Sequence, residues 1–263
     1  MDVDLGTIST GREYHDSFEP KSYLGYRFQS VNERHAEVLR HLHQFYLTVP
    51  VGVKVLDVGS GPIIAYVISA ATRASEIVLS EYTKKNRDEI QRWIDGSPKA
   101  HDWGPYFTFI VQKLEGKENQ EVTKRAQQLR QIIKAVVPCD ITKDPPIDGA
   151  FAGPYDVITS SLCLEAACST ADEYTDAVVR MWRLLKEGGR LLLQCVEGPS
   201  TTHFYMVGTK KFTVLSATPR LIRTALEKTG FHDITITQLP KNTVGNKEAS
   251  SDYTAMYLVI ATK

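Results

Sequence analysis

Residues 53–62 read Val-Lys-Val-Leu-Asp-Val-Gly-Ser-Gly-Pro, and they limit the fold more than any other stretch. A short apolar run predicts a buried strand over 53–58. Asp57 sits near its end, and Gly59-Ser60-Gly61 then turns the chain into a loop whose backbone can pass close to a ligand. Glu81, Asp140 and Glu165 each close a later strand-like segment. In an open α/β sheet, strand ends on that side carry the ligand-binding groups.

The rest of the chain alternates. The pattern predicts helix 62–73, with Pro62 suited to a first helical turn, then strand 76–80 and helix 83–95. A third apolar segment, 106–111, precedes a helical stretch, 118–135, in which Lys, Arg, Gln and Glu dominate, as in a surface insertion. Segment 135–141 ends at Cys139-Asp140. Strand 155–160, helix 171–186 stopped by Gly188-Gly189, and the nearly all-apolar strand 190–196 follow. A hairpin is expected over 203–215, then helix 219–229 ended by Gly230, then strands 231–238 and 253–262 joined by a polar loop at 241–247. Such alternation predicts an α/β, doubly wound sheet.

Ahead of this core, residues 32–47 place Val38, Leu39, Leu42, Phe45 and Tyr46 on one helical side, with Asn32 as N-cap. The first thirty residues carry Tyr14, Phe18, Tyr23, Tyr26 and Phe28, which pin the segment to the core or close over a ligand. No linker is apparent. One domain is expected over 1–263, with a cap at 1–48 and a core at 49–263.

Composition narrows the class. Lysine plus arginine equals aspartate plus glutamate, 31 each, so the basic excess of a nucleic-acid binder is missing. No run of about eighteen apolar residues predicts a membrane span, and the acidic N-terminus is not a secretory signal. The four cysteines lack Cys-x-x-Cys spacing and the seven histidines are scattered, so neither zinc nor disulfides are expected. A reducing cytoplasm is the simplest home.

The glycine loop discriminates between nucleotides. A dinucleotide fingerprint wants Gly or Ala at the third position, where this chain has Ile64, and no Gly-Lys-Ser/Thr of a phosphate loop follows. Glu81 stands about twenty residues beyond the loop, where a carboxylate can accept both ribose hydroxyls; the alternative is a cap for helix 83–95. Asp140 can accept from an adenine amino group, or simply open a turn before Thr142. Together these features describe adenosine recognition without a pyrophosphate cradle, and S-adenosylmethionine fits best.

Several stretches then follow in a familiar order. They are Asp57-Val-Gly-Ser-Gly-Pro62, Glu81-Tyr82 with Asn86, Cys139-Asp140-Ile141-Thr142, Ser161-Leu-Cys-Leu-Glu-Ala-Ala-Cys168, Leu185-Lys-Glu-Gly-Gly189 and Tyr205-Met-Val-Gly208. From about Tyr14 to the C-terminus the chain resembles the family of nicotinamide, phenylethanolamine and indolethylamine N-methyltransferases. The resemblance implies a class I methyltransferase core: a Rossmann-like, doubly wound, seven-stranded, mostly parallel sheet with an N-terminal helical cap, working as a monomer. It implies that Gly59, Ser60 and Gly61 line the methionine part of the cofactor. Glu81 would hold the ribose, where the family usually has Asp. Tyr82 would pack on the adenine with Asn86 nearby, and Asp140 and Ile141 would contact the base. Tyr14, Tyr23 and Tyr26 match tyrosines that lid cofactor and substrate, and Ser161 keeps the hydroxyl of a family threonine. Ala65 stands where a relative has a tyrosine; Tyr66 would face another direction on a helix.

Methyl transfer to nitrogen needs a free lone pair, an in-line approach and a dry site, and much of the rate comes from positioning. An alkylamine is mostly protonated near neutral pH, so carboxylates must hold it and relay its proton. By resemblance, Glu165 matches an acid of the acceptor site, Asp in nicotinamide-type and Glu in phenylethanolamine-type relatives. Glu197 approximates a second family acid, with Cys195 as the ungapped alternative, and Asp252 coincides with an acid of the phenylethanolamine branch. Three carboxylates favour a cationic amine over neutral nicotinamide. The Asn-Pro-Pro-Tyr type signature of base-modifying methyltransferases is absent at 160–163, as is the acid cluster of metal-dependent catechol O-methyltransferases. The expected activity is N-methylation of a small aromatic or heteroaromatic amine without a metal. A nicotinamide methyltransferase and a non-catalytic cofactor-binding protein remain the alternatives.

Overall fold

A computed structural model describes residues 7–8, 12–240 and 251–263; the expected polar loop at 241–247 lies outside them. The first half of the chain forms β1 (Thr7–Ile8), α1 (Arg12–Ser17), α2 (Pro20–Arg27), α3 (Glu33–Leu47), β2 (Val53–Val58), β3 (Ala74–Glu81), α4 (Lys84–Ile94), α5 (Gly104–Thr108), α6 (Asn119–Ile132) and β4 (Ile133–Pro138). The second half forms β5 (Tyr155–Ser161), α7 (Leu164–Ala167), α8 (Ala171–Leu184), β6 (Leu185–Glu197), β7 (Thr202–Val207), β8 (Lys210–Leu215), α9 (Pro219–Thr229), β9 (His232–Gln238) and β10 (Ala255–Thr262).

Seven strands form one sheet in the order β4-β3-β2-β5-β6-β10-β9. The pairs among β2 to β6 are parallel, whereas β10 runs antiparallel to both β6 and β9. This is the class I, Rossmann-like architecture expected. After β4 the chain crosses to the far side of β2 to form β5, so β2 and β5 flank the point where the winding reverses. Ligands bind outside the strand ends at such a point. A second sheet, β1-β8-β7, stands beside the first. Among the described residues no helix is long and apolar enough to cross a membrane.

Strand parity divides the core in two. Along β6, Leu192 and Val196 pack on the face that also carries α3, while Leu191, Leu193 and Cys195 pack on the face carrying α8 and α9. Along β10, Met256 and Leu258 take the first face and Tyr257 and Val259 the second. Fully burying one such aliphatic side chain stabilises by about 1.5–3 kcal/mol. The helices end as their caps dictate: the Asn32 side chain accepts from His35 N at 2.9 Å, and Gly230 closes α9 in the left-handed region at φ 106°.

Four local expectations change. Residues 62–73 form two 3₁₀ turns, Ala65–Val67 and Ser69–Thr72, instead of one α-helix. The segment is buried on every side and rich in β-branched Ile63, Ile64, Val67 and Ile68, so packing overrides a helix those residues favour weakly. Segment 106–111 is helical, for Tyr106, Phe107, Ile110 and Val111 are buried at helical spacing and the chain runs from α5 into a wider π-helical turn, Phe109–Leu114. Helix α6 is a docked crossover element, not a surface insertion. It buries Leu129 and Arg125, and Arg125 meets Glu115 at 2.6 and 2.8 Å. Gly188-Gly189 does not stop a helix: α8 ends at Leu184, and the pair bends β6, where Gly188 N donates to Lys263 O.

Candidate active site

A cavity of about 560 Å³ opens beyond the ends of β2, β3 and β5, beneath α2 and β7. Its size suits a small-molecule site. Gly59 and Gly61 both take left-handed φ, 68° and 58°. At Gly59 the space is also denied, since a Cβ there would lie 2.1 Å from Cys163 Sγ. The loop after β2 and the loop after β5 therefore touch backbone to side chain. Gly59 N and Ser60 N both donate to Ser80 O, and Gly61 N donates to Glu81 Oε2 at 2.9 Å. Leu162, at the end of β5, also sits at positive φ, 55°, the kind of local strain that collects at binding sites.

Glu81 is buried and heavily used. Its Oε1 accepts from Thr83 N, Thr83 Oγ1 and Asn86 Nδ2 at 2.8, 3.0 and 3.0 Å. Asn86 is thus placed behind Glu81 and lies outside the cavity lining, contrary to the expectation that it meets the cofactor. Asp140 borders the cavity with its Oδ1 taking Thr142 N and Oγ1, beside buried Ile141. Tyr82 and Ser161 also line it. The donor set fits the adenosyl group inferred from the sequence. Glu81 and Asp140 present carboxylates where a ribose diol and an amino group need acceptors, and Gly61 leaves the loop open, its nearest neighbour being Ile63 Cδ1 at 3.9 Å. Asp57 lies beneath, accepting from Thr159 Oγ1 at 2.6 Å; burial raises its carboxyl to about 6.

Aromatic rings form the roof. Tyr14 stacks on Phe18 at 5.3 Å and accepts a hydrogen bond from Tyr205 OH at 3.2 Å, linking the N-terminal helices to the small sheet. Tyr23 packs on Phe18 and Phe28 and lines the cavity. Tyr26, expected in this lid, is 60 % exposed and lies off the cavity, beside Arg27. One helical turn separates it from Tyr23, but α2 turns it toward solvent. Tyr66 supplies an unexpected ring: because 62–73 is not an α-helix, its side chain does reach the cavity.

At the far end, Glu165 on α7 is 2 % exposed and its Oε1 accepts Val196 N at 2.7 Å. Burial raises its carboxyl from 4.5 to about 7. The other two expected acids do not line the cavity. Glu197 accepts from Tyr257 OH at 2.6 Å, and Cys195 lies against Tyr174 in the opposite core. Side chains alternate across a strand, so Gln194 and Val196 face the cavity while Cys195 and Glu197 face away. Asp252 accepts Phe204 N at 2.7 Å and approaches His203 Nδ1 at 3.5 Å; His203 lines the cavity in its stead. Residues that sequence reasoning missed include His203, Tyr205, Gln194 and Tyr66. Strand parity was the signal for 194 against 195, and for 203 with 205. Among the described residues no group of three His, Cys, Asp or Glu is placed to hold a metal ion.

Comparison with known proteins gives the family and the fold. The sequence matches the NNMT/PNMT/TEMT family over residues 6–263. Nicotinamide N-methyltransferase of Homo sapiens is 33% identical over 225 residues, covering 83% of either chain. Indolethylamine N-methyltransferase of Mus musculus is 35% identical over 229 residues, covering 84% of either. Phenylethanolamine N-methyltransferase of Homo sapiens is 30% identical over 224 residues, covering 81% of this chain and 78% of its own. Among solved structures, magnesium protoporphyrin IX methyltransferase from Synechocystis PCC 6803 aligns with a TM-score of 0.58 at 14% identity, over 96% of this chain and 94% of that one. N-methyltransferase NodS from Bradyrhizobium japonicum WM9 gives 0.56 at 12% identity, over 95% of each. The solved structures share the fold; the match along nearly the whole sequence shows that the chain belongs to the NNMT/PNMT/TEMT family.

Proposed function

We propose that this protein is an S-adenosylmethionine-dependent N-methyltransferase acting on a small aromatic or heteroaromatic amine. Gly59, Ser60 and Gly61 hold the methionine portion, Glu81 the ribose, Asp140, Ile141 and Tyr82 the adenine, with Tyr14 and Tyr23 closing above and Ser161 at the floor. When bound, S-adenosylmethionine supplies a sulfonium-activated methyl group. The protein's part is to orient the acceptor nitrogen, exclude water and manage its proton. Glu165 anchors the acceptor and assists this last task. Its ionised form attracts an ammonium, and a carboxyl raised to about 7 changes charge near neutral pH, where the amine must shed its proton.

The observation that bears most weight is a buried, raised carboxyl in the cavity that also holds the glycine loop and Glu81. Asp252 acts indirectly, through His203, whereas Glu197 is paired with Tyr257 on the other face of the sheet and takes no part in the site. We take the chain as one catalytic domain with residues 1–48 as its cap, working as a monomer; its four free cysteines suit a reducing cytoplasm. A labelled-methyl transfer assay over tryptamine, phenylethanolamine and nicotinamide tests the reading. Turnover of an amine supports it, while turnover of nicotinamide alone favours the second reading, a pyridine methyltransferase like the 33%-identical relative. Undiminished amine turnover in Glu165→Ala refutes the role given to Glu165.

A further inference from the structure

We propose that His203 is a further catalytic residue, whose imidazole contacts the acceptor amine and takes a proton from it. The inference rests on the reading above. His203 lines the cavity with its side chain only 2% exposed. Both ring nitrogens, Nδ1 and Nε2, are buried without a hydrogen-bond partner among the described residues. Buried polar atoms are nearly always paired, so an unpartnered ring in a ligand cavity awaits a ligand group.

The site around the ring is built. Gly198 leaves the ring its room, for a Cβ there would come within 2.3 Å of His203 Cβ and 2.6 Å of its Cγ. Gly198 is itself fixed by donating to Ser216 Oγ at 3.0 Å. Asp252 Oδ1 stands 3.5 Å from Nδ1 and is held there by the Phe204 N–H. A carboxylate on that side favours the tautomer with hydrogen on Nδ1, which leaves the lone pair of Nε2 as the acceptor. Burial lowers the imidazole's basicity and Asp252 partly restores it, so the ring is neutral near pH 7.

In the step, the N–H bond of the acceptor ammonium breaks, its electron pair stays on nitrogen, and the proton adds to Nε2. The resulting imidazolium is stabilised by Asp252. The freed lone pair is the nucleophile. A neutral imidazole acceptor also selects: it pairs with an amine N–H, whereas a pyridine nitrogen offers none. His203 therefore directs the cavity toward amines.

The test is kinetic and spectroscopic. With tryptamine as acceptor, His203→Ala is expected to lose about 100-fold in kcat/KM, a loss typical of a missing general base. Adenosylhomocysteine affinity should stay within twofold, and added imidazole should restore part of the rate. His203→Gln should show the same loss, which covers an alanine variant that fails to fold. In ¹⁵N-histidine spectra of the intact protein with adenosylhomocysteine, tryptamine should move the Nε2 signal that His203→Gln deletes. Wild-type tryptamine turnover in both variants, or an Nε2 signal unmoved by saturating tryptamine, overturns the proposal while leaving the methyltransferase reading intact. A wild type that methylates no amine overturns both.

Discussion

Glu165→Gln separates the acid's chemistry from its cost. The folded protein holds Glu165 at about 7 against an ordinary 4.5, mainly because burial disfavours the charged form. That difference corresponds to about 3 kcal/mol. The sign follows from the raised value. Below 4.5 the carboxyl is neutral folded or unfolded and costs nothing. Above 4.5 the unfolded chain ionises while the folded one stays neutral, so stability is lost as pH rises to about 7 and the loss levels off once the folded group ionises too. Glutamine never ionises and keeps an oxygen for Val196 N. Unfolding free energies from urea titrations should therefore diverge, the variant gaining about 3 kcal/mol on wild type between pH 4.5 and pH 8. Each kcal/mol is worth about 2–4 °C in Tm for a chain near this size. Asp57, also raised, titrates in both proteins and cancels. Amine turnover should fall by about 10²–10⁴-fold. Stability curves that stay parallel across this range would refute the burial argument, whatever happens to activity.

Other outcomes follow from single contacts. Wild-type kcat/KM should rise with pH through about 7 as Glu165 ionises, a limb that Glu165→Gln removes from the pH–rate profile. Gly59→Ala combines a left-handed φ with a Cβ on Cys163, so calorimetry should show adenosylhomocysteine affinity falling at least about tenfold. Arg125→Ala leaves the buried Glu115 with Lys117 alone, at 3.0 Å, and should cost about 1.5–3 kcal/mol in chemical denaturation, with cofactor affinity little changed in the folded fraction. Tyr26→Ala should leave that affinity untouched, whereas Tyr14→Phe, which breaks the bond to Tyr205, should weaken it.

The glycine loop, the parallel strands and the acids Glu81, Asp140 and Glu165 were legible because each rests on local pattern: an apolar run, a break, a charge at a strand tip. What was hidden needed either parity or distant packing. Glu197 and Cys195 looked suitable by position, yet Gln194 and Val196 own the cavity side of β6. Tyr66 looked misdirected because an α-helix was assumed through a segment too buried and too β-branched to form one. His203 was one of several scattered histidines. Its meaning depends on Asp252 and Gly198, which only the fold brings beside it. Tyr26 carried the right residue type on the wrong side of α2.

The bend at Gly188-Gly189 lets β6 run on from α8 without a loop, and its odd–even alternation then sorts two kinds of evolutionary freedom. Exchanges at 194 reshape what the enzyme admits, and those at 196 do so while also touching the core packed on α3. Exchanges at 197 fall on Tyr257 and the far face of the sheet, and those at 195 reach the cavity only through the hydrogen bond of Cys195 to Glu165. One extra residue inserted between the bend and position 194 would swap those fates at a stroke, so natural variation in length should be rare there and common in the turn after Glu197.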